Sequence, residues 1–408
     1  MIKWDESGTM SHRSIVAVRL LPCGGLLLTS FALFTTAVWV LGIVLMLAGT
    51  GLSLAHYSRK RAVKTLKTHE MPPVSVLKPV KGLESGLRDN LERFFNLDYP
   101  QYELLFSVAD DKDPACDIVR ALMVAYPQVK SQLILGDMDC GPNPKINNLV
   151  KGYDAATSDW LLISDSNARV EPDYLKRLVS YIDTDVGMVT SAISGEFSAN
   201  WPGHLESVIL NSFYTRNLVS AYAIGQTIVV GKSMMFRKSI ADRFGGLRAL
   251  ANYLAEDYIA GQFIRQQGYR IVLTQETITQ FVDRMTLRAY WLRHVRWGRI
   301  RKAQAPLVFL IEPWFSAFAS SAIGAWGLSY LSLAPFYGVF FVSLLTWWCC
   351  DLALMRVCGG SITPHLALAW FVREASAFPL WISIASGSTV EWRGRKFKIR
   401  LGGSLIEQ

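Results

Sequence analysis

The stretch LLISDSNARV, residues 161–170, decides the fold, because it carries an apolar run directly into an acid and an amide. The run that starts at Trp160 is typical of a strand buried on both faces, as the strands of parallel sheets are. Asp165 and Asn167 follow at its end, and both side chains need water or a binding partner. We therefore expect Asp165 and Asn167 to lie at the carboxyl end of a central strand, where they hold a ligand.

Strand-like and helical patterns alternate on both sides of this stretch. The strand-like runs are 74–78, 103–109, 132–135, 160–164 and 186–191. The helical runs between them are 87–95, 114–126, 144–156 and 172–182. Such alternation is typical of an α/β fold with a mostly parallel, doubly wound sheet, in which ligands bind at the carboxyl ends of the strands. Because Asp110 and Asp165 both follow strands, we expect them to face the same crevice.

Two long apolar segments flank this region. No charged residue occurs in 20–55 or in 313–350. A bilayer core of about 30 Å takes about 20 apolar residues per helix, so the first segment predicts one transmembrane anchor. It is too long for the apolar part of a signal peptide, and we expect it to be retained. The second segment has room for two spans, near 314–333 and 336–355.

A third apolar stretch, 365–387, differs from the other two because it contains Arg373 and Glu374. A charge pair inside a membrane is costly. We therefore expect this stretch to lie in the membrane interface or to pack inside the helix bundle.

The positions of the basic residues predict the orientation in the membrane. They follow the first apolar segment and fill the C-terminal end, as Arg59, Lys60, Arg61, Lys64, Lys67, Arg393, Arg395, Lys396, Lys398 and Arg400. Since the cytosolic flanks of membrane helices are rich in Lys and Arg, we expect both regions in the cytosol. The formal net charge of +9 would attract the chain to anionic lipid headgroups, because the basic residues lie beside the apolar segments. We therefore expect a membrane and no nucleic acid as partner.

These patterns together predict the organisation of the chain. We expect an N-terminal tail (1–19), a transmembrane anchor (20–56), a cytosolic domain ending in an amphipathic interfacial helix (57–306), C-terminal membrane segments (307–387) and a basic cytosolic tail (388–408). The protein is thus expected to be an integral, multi-pass membrane protein, in the inner membrane if bacterial and in the Golgi if eukaryotic.

Several common site chemistries are set aside by the sequence. The glycine fingerprint of a dinucleotide-binding fold is missing, and no Ser or Cys has the base and glycines of a nucleophile nearby. The stretch GQTIVVGKS, 225–233, resembles a phosphate loop, but five residues separate Gly225 and Gly231 where four are required. Its β-branched middle is better suited to a strand, and we reject it.

A set of carboxylates remains, namely Asp110, Asp165 and the Glu256–Asp257 pair. One or two hard oxygen ligands together with a diphosphate are a common way of holding Mg²⁺ or Mn²⁺. The residues themselves therefore favour a site for a divalent metal and a diphosphate.

The order Asp110, Asp165, Asp257 and then Arg293-x-x-Arg296-Trp297 resembles the D, D, D, (Q/R)xxRW pattern of membrane-bound, family 2-like glycosyltransferases. Longer matches within 73–315 resemble the ceramide glucosyltransferases of family 21, namely DDKDPACDIV (110–119), NPKINNLVKGY (143–153), DSNARVEPDYL (165–175), LAEDYIAG (254–261) and RHVRW (293–297). The resemblance implies a GT-A nucleotide-diphospho-sugar transferase domain with an N-terminal transmembrane helix and C-terminal membrane helices. It also implies inverting transfer of glucose from UDP-glucose to the primary hydroxyl of ceramide.

The resemblance further implies which residues bind the donor. Asp110 would contact the uracil or ribose, and Asp165 would contact a metal ion or the diphosphate, with Asn167 as a second, neutral oxygen ligand. Lys145 lies at a predicted helix start, where amide groups and the helix dipole favour anions, and together with Asn148 it would bind the donor. The ordinary alternatives are a helix cap at Asp110 and a turn at Asn167.

On the acceptor side, the resemblance makes Asp257 the base that removes the hydroxyl proton, with Glu256 as its competitor. Neighbours on a helix point about 100° apart, so we expect only one of the two to face the crevice well. Arg293 and Arg296 share a helix face and could clamp the diphosphate, while Trp297 packs beside the acceptor.

Other functions remain open at this point. They are a hopanoid-linked or other lipid glycosyltransferase with the same core, a processive polysaccharide synthase and a non-catalytic membrane scaffold. Tyr214-Thr215-Arg216 stands where animal ceramide enzymes have His-Pro-Arg, which leaves the acceptor lipid open. A synthase would need more spans to form a pore, and the complete set of Asp and Arg-Trp residues counts against a scaffold. His204 and His294 have no evident partner and are expected to be structural.

Overall fold

The computed structural model describes residues 23–59, 67–196, 200–282, 284–359, 362–392 and 395–407. The predicted tail, 1–19, and the first residues of the predicted anchor lie outside these ranges. The same is true of four predicted basic flank residues, Lys60, Arg61, Lys64 and Arg393.

All nine elements predicted between 74 and 191 are confirmed, with ends that differ by three residues or fewer. The helices are α1 Cys23–Ser58, α2 Leu87–Phe95, α3 Ala115–Ala125, α4 Pro144–Ala155, α5 Tyr174–Val179, α6 Trp201–Ile209, α7 Thr215–Ala223, α8 Lys238–Ala241, α9 Glu256–Gln266, α10 Leu287–Gln304, α11 Pro306–Ile311, α12 Ala317–Tyr330, α13 Phe336–Val357 and α14 Pro364–Ala385. The strands are β1 Val74–Pro79, β2 Tyr102–Val108, β3 Ser131–Leu135, β4 Trp160–Ile163, β5 Ala168–Arg169, β6 Val186–Thr190, β7 Ile193–Gly195, β8 Met234–Arg237, β9 Arg270–Leu273, β10 Ile278–Gln280, β11 Thr389–Trp392, β12 Arg395–Ile399 and β13 Leu405–Glu407. Short 3₁₀ segments are Thr68–Glu70, Asp242–Phe244, Gly246–Leu250 and Glu312–Phe315, and a π-helix, Leu210–Tyr214, joins α6 to α7.

The main sheet has seven strands in the order β3-β2-β1-β4-β8-β6-β9. All neighbours are parallel except β8, which runs antiparallel to both β4 and β6. The predicted α/β class with a mostly parallel sheet is therefore confirmed. Because β2 and β4 both pair with β1 in parallel, the residues that follow them emerge at the same sheet edge.

The central strands are apolar throughout because both of their faces are buried. In β4, Trp160 and Leu162 pack in a core beside α2 and α3, whereas Leu161 and Ile163 pack in a second core beside α4 and α9. Four consecutive apolar side chains thus serve two helical layers, as parallel sheets require.

Two of the described helices are long and apolar enough to cross a membrane, Gly25–Ser58 within α1 and Phe336–Val357, which is α13. They coincide with two of the predicted spans. The span predicted near 314–333 corresponds to the shorter α12, which follows Pro306–Phe315 after a bend of 66°. This bent pair would be a third span if both parts cross together.

The third apolar stretch forms α14 and buries its charge pair inside the protein. Arg373 and Glu374 are 9 % and 3 % exposed and contact each other. Glu374 also accepts a hydrogen bond from the backbone N–H of Ala317 at 2.9 Å, at the start of α12. Of the two alternatives from the sequence, packing inside the helix assembly is the one observed.

Where we expected a basic tail, the chain folds into a small antiparallel sheet of β11, β12 and β13. Phe397 is fully buried beneath it. The N–H of Gly402 donates to the Ala303 carbonyl at 3.0 Å, and that of Leu405 to the Asn252 carbonyl at 2.8 Å. The C-terminal residues are thus attached to α10 and to the segment before α9.

Candidate active site

A cavity of about 570 Å³ opens where Asp165 follows β4. Most of the predicted site residues line it, coming from the starts of α4 and α9, from the end of β4 and from α10. They are Lys145, Asp165, Asn167, Asp257, Arg293, Arg296 and Trp297. The fold therefore brings together seven residues from four separate segments of the chain.

Asp165 is held between two lysines. Lys145 Nζ lies 3.0 Å from Asp165 Oδ1, and Lys232 Nζ lies 3.3 Å from Asp165 Oδ2. Burial alone would raise the pKa of Asp165, but the two ammonium groups outweigh it and hold that pKa below its ordinary value. Asp165 is therefore a permanent anion on the cavity wall.

Lys145 owes its position to the start of α4. Asn143 caps this helix, since its Oδ1 accepts from the N–H groups of Lys145 at 2.8 Å and Ile146 at 3.2 Å. The ammonium of Lys145 also pairs with Glu256 Oε1 at 2.8 Å. Burial alone would lower the pKa of Lys145, but the carboxylates of Asp165 and Glu256 raise it.

Asp165 and Asn167 offer hard oxygen atoms, the donor type that Mg²⁺ and Mn²⁺ prefer. In the structure the Lys232 ammonium lies between them, because it also donates to Asn167 Oδ1 at 2.5 Å. Within the described ranges, no three His, Cys, Asp or Glu side chains converge on a possible metal position. These two oxygen atoms would thus suit a divalent ion whose remaining ligands come from phosphate and water, provided that the Lys232 ammonium moves away from them.

Glu256 and Asp257 both line the cavity, so the expectation that only one of them faces it is wrong. They occupy the first turn of α9, where no preceding turn hides either side chain. Their partners differ. Glu256 is tied to Lys145, whereas the Asp257 carboxylate accepts two backbone N–H groups, from Gly231 at 2.8 Å and from Tyr258 at 2.8 Å.

The Asp257 carboxyl is also electrostatically distinct. Burial, and then the neighbouring Glu256 carboxylate, raise the pKa of Asp257 above its ordinary value. A raised pKa makes a carboxylate a stronger base, provided that it is still ionised at the working pH.

A buried carboxylate that we did not predict holds the first arginine of the Arg-x-x-Arg-Trp motif. Glu206, in α6, is fully buried, and its Oε1 accepts from Arg293 Nη1 at 2.8 Å. Its Oε2 lies 2.7 Å from His294 Nε2, and the His294 ring meets that of Trp297 edge to face, with centroids 5.4 Å apart. Burial opposes ionisation, but His294 and Arg293 lower the pKa of Glu206 to about 2. The expectation that His294 has no partner is therefore wrong.

Two predicted donor-binding residues lie outside the cavity wall. Asp110 is exposed at the same sheet edge, beyond β2, and its Oδ1 accepts a local bond from the N–H of Lys112 at 3.0 Å. Asp113, and not Asp110, accepts from the N–H of Ala115, the first residue of α3, and it also accepts from the N–H of Gly82. Asn148 is buried, and its Nδ2 donates to the Ser107 carbonyl at 2.8 Å.

Comparison with known proteins gives the family of the chain. A family model described as glycosyl transferase family 21 matches residues 41–405. The chain is 29 % identical over 341 residues to ceramide glucosyltransferase 1 of Caenorhabditis elegans, which covers 82 % of this chain and 73 % of that protein. An alignment of 483 positions with the ceramide glucosyltransferase of Komagataella phaffii shows 28 % identity. This alignment covers 95 % of this chain and 93 % of that protein.

Among solved structures, the chain is similar to a mannosyltransferase from Pyrobaculum calidifontis in complex with GDP-Man and Mn²⁺. The two are 19 % identical, with a TM-score of 0.47, over 86 % of this chain and 98 % of that one.

Proposed function

The chain belongs to glycosyltransferase family 21, and on this premise we propose that it transfers glucose from UDP-glucose to the primary hydroxyl of ceramide, with inversion at the sugar carbon. Membership confirms the predicted enzyme class, a glycosyltransferase, and the predicted α/β GT-A fold with apolar helices at both ends. The donor, the acceptor and the roles of individual residues are the proposal.

The observation that carries the proposal is the position of Asp257. Its carboxylate shares one cavity with the cationic side chains, yet no lysine or arginine pairs with it within the described residues. Two backbone N–H groups fix its orientation, and lone pairs remain to accept a proton. A lipid hydroxyl beside Asp257 would lose its proton to this carboxylate as its oxygen attacks the anomeric carbon of the sugar, and the bond from that carbon to the diphosphate would break.

The cationic residues would bind the leaving diphosphate. Lys145 lies at the start of a twelve-residue helix, where the helix dipole adds to its charge. Arg293 and Arg296 face the same cavity from α10. Asp165 and Asn167 would hold Mg²⁺ or Mn²⁺, which would supply further positive charge to the departing phosphate. The nucleoside would lie along the sheet edge towards Asp110.

The acceptor would bind along the apolar part of the cavity lining. Trp297 belongs to this part, as do side chains of the π-helix, α7, the segment before α9, α10 and the small C-terminal sheet, including Leu210, Leu218, Leu254, Ile300 and Trp392. A lining that combines charged and apolar groups suits an alcohol that carries long alkyl chains. The curated relatives are named ceramide glucosyltransferases, which favours ceramide as that alcohol.

The protein would act at a membrane. Its two apolar helices, with the bent pair as a third, would make it multi-pass, and the basic flanks would place the catalytic domain in the cytosol, where UDP-glucose is found.

A donor and acceptor panel tests the proposal. The purified full chain in lipid nanodiscs is given UDP-glucose or UDP-galactose, with ceramide, diacylglycerol or a hopanoid alcohol as acceptor, and products are identified by mass spectrometry. We expect glucosylceramide from UDP-glucose as the main product. Transfer to another lipid, with ceramide untouched, would overturn the acceptor, and transfer only from UDP-galactose would overturn the donor.

A further inference from the structure

Gly231 and Lys232 lie between the two carboxylates to which the proposed function gives different roles. The Gly231 N–H donates to Asp257 Oδ2 at 2.8 Å, and Lys232 Nζ lies 3.3 Å from Asp165 Oδ2. Both residues belong to the stretch 225–233, which we set aside because its glycines are one residue too far apart for a phosphate loop. The structure nevertheless places its end in the cavity, directly before β8.

The Lys232 ammonium has a defined position. Its side chain is 12 % exposed, and it donates to the two oxygen atoms that were predicted to bind a metal, on Asp165 and Asn167. A metal ion and this ammonium cannot occupy the same place. Lysine has a flexible four-carbon stem and three donors, so its head group can turn from one anion to another that comes within reach.

We propose that Lys232 is a donor-binding residue whose ammonium moves onto an oxygen of the diphosphate when a nucleotide sugar binds. In the structure, it neutralises Asp165 and donates to Asn167. With the donor present, it leaves those two oxygen atoms to a divalent ion and adds its charge to that of Lys145 on the phosphate. This inference rests on the proposed function, because the ligand is the donor's diphosphate.

The glycine before Lys232 allows the base and the phosphate-binding group to come close together. A Cβ atom at Gly231 would lie 3.1 Å from Asp257 Oδ2 and 3.2 Å from Lys145 Nζ, which is tighter than ordinary contact. A side chain at this position would push Asp257 and Lys145 away from the backbone. One short segment thus contacts the proposed base through Gly231 and the proposed phosphate site through Lys232.

Calorimetric titration of UDP into the full chain in nanodiscs tests the inference, with EDTA and with Mg²⁺. The variants are Lys232→Met, Lys232→Arg and, as a matched control, Lys176→Met, which also removes a lysine–aspartate pair, with Asp98, outside the cavity. Uridine, which carries no phosphate, is the control ligand. Since a hydrogen bond to a charged group is lost, we expect Lys232→Met to weaken UDP binding about tenfold or more, with uridine unaffected. Lys232→Arg should lose less, and Lys176→Met nothing.

Three other results would overturn the inference, each in a different way. UDP binding by Lys232→Met equal to that of the wild type would show that Lys232 does not contact phosphate. Tighter binding of UDP by Lys232→Met in Mg²⁺ would show that the ammonium only blocks the metal position. If the wild type itself binds no UDP under either condition, the proposed donor is wrong, and the inference falls with it.

Discussion

Arg293 Nη1 donates to Glu206 Oε1 at 2.8 Å, and this contact fixes the start of the Arg-x-x-Arg-Trp motif to a different helix, α6. The same carboxylate also holds His294, whose ring packs edge to face against Trp297. Glu206 does not line the cavity, so it acts through the motif and is a positioning residue for Arg293 and Trp297.

Glu206→Gln tests this positioning role. Glutamine keeps the shape but loses the charge that holds Arg293 and His294. We expect kcat to fall by about 10²-fold, the scale expected when binding groups are displaced by about an ångström, while the KM for the donor changes less. The apparent melting temperature should fall as well, because charged hydrogen bonds worth about 1.5–3 kcal/mol are lost.

The matched control for that variant is Asp154→Asn, which removes an exposed ion pair with Arg248 and should alter neither kcat nor stability measurably. If Glu206→Gln is less stable but turns over normally once folded, Glu206 has only a structural role.

Asp165→Ala should abolish transfer while the protein stays folded and inserted. The side chain is 28 % exposed on the cavity wall, so its loss opens no hole in the core, but it leaves Lys145 and Lys232 without their shared carboxylate. Activity and circular dichroism are compared with those of Asp98→Ala, which removes an exposed aspartate and thereby also breaks an ion pair with a lysine, Lys176. Near-normal turnover by Asp165→Ala would refute its donor role.

The pH dependence of kcat reports on Asp257. A base must be ionised, so activity should be lost as the pH falls through a pKa that is raised above the ordinary 3.8 by burial and by Glu256. Glu256→Gln removes the second of these causes, and the acidic limb of its profile should move to lower pH. An acidic limb that stays in place in Glu256→Gln would show that another group limits the rate.

The elements that carry the site could be predicted because their signals are local. An apolar run ending in Asp165 marks β4, and Pro144 at a first helical turn places Lys145 at the start of α4. Because neighbouring parallel strands run in the same direction, the residues that follow them come to the same edge of the sheet.

The remaining contacts could not be predicted, because they join distant parts of the chain. Glu206 and Arg293 are 87 residues apart, and the only local sign was a single acid in the otherwise uncharged Trp201–Ile209. Lys232 reaches Asp165 only because β8 enters the sheet antiparallel beside β4. The small C-terminal sheet could not be recognised in the sequence because charged residues dominate it, and its buried core takes four apolar residues from the strands, Val390, Phe397, Ile399 and Leu405.

Accessibility labelling tests the proposed topology. In a background without native cysteines, Lys398→Cys, on the exposed side of β12, should react with an impermeant maleimide only from the cytosolic face. Leu333→Cys, in the turn before α13 and 69 % exposed, should react only from the opposite face. Reaction of both cysteines from one face would contradict two crossings after α10.

The central claim is that Asp257 takes the acceptor proton, and the most direct measurement compares Asp257→Asn with Glu256→Gln. Glucosylceramide formation from UDP-glucose is followed beside calorimetric UDP binding. We expect Asp257→Asn to lose about 10²–10⁴-fold in turnover, with UDP affinity nearly unchanged, because asparagine keeps the size but cannot accept the proton. Glu256→Gln should retain turnover and bind UDP differently, because its partner Lys145 is released. An active Asp257→Asn together with an inactive Glu256→Gln would contradict the assignment of the base.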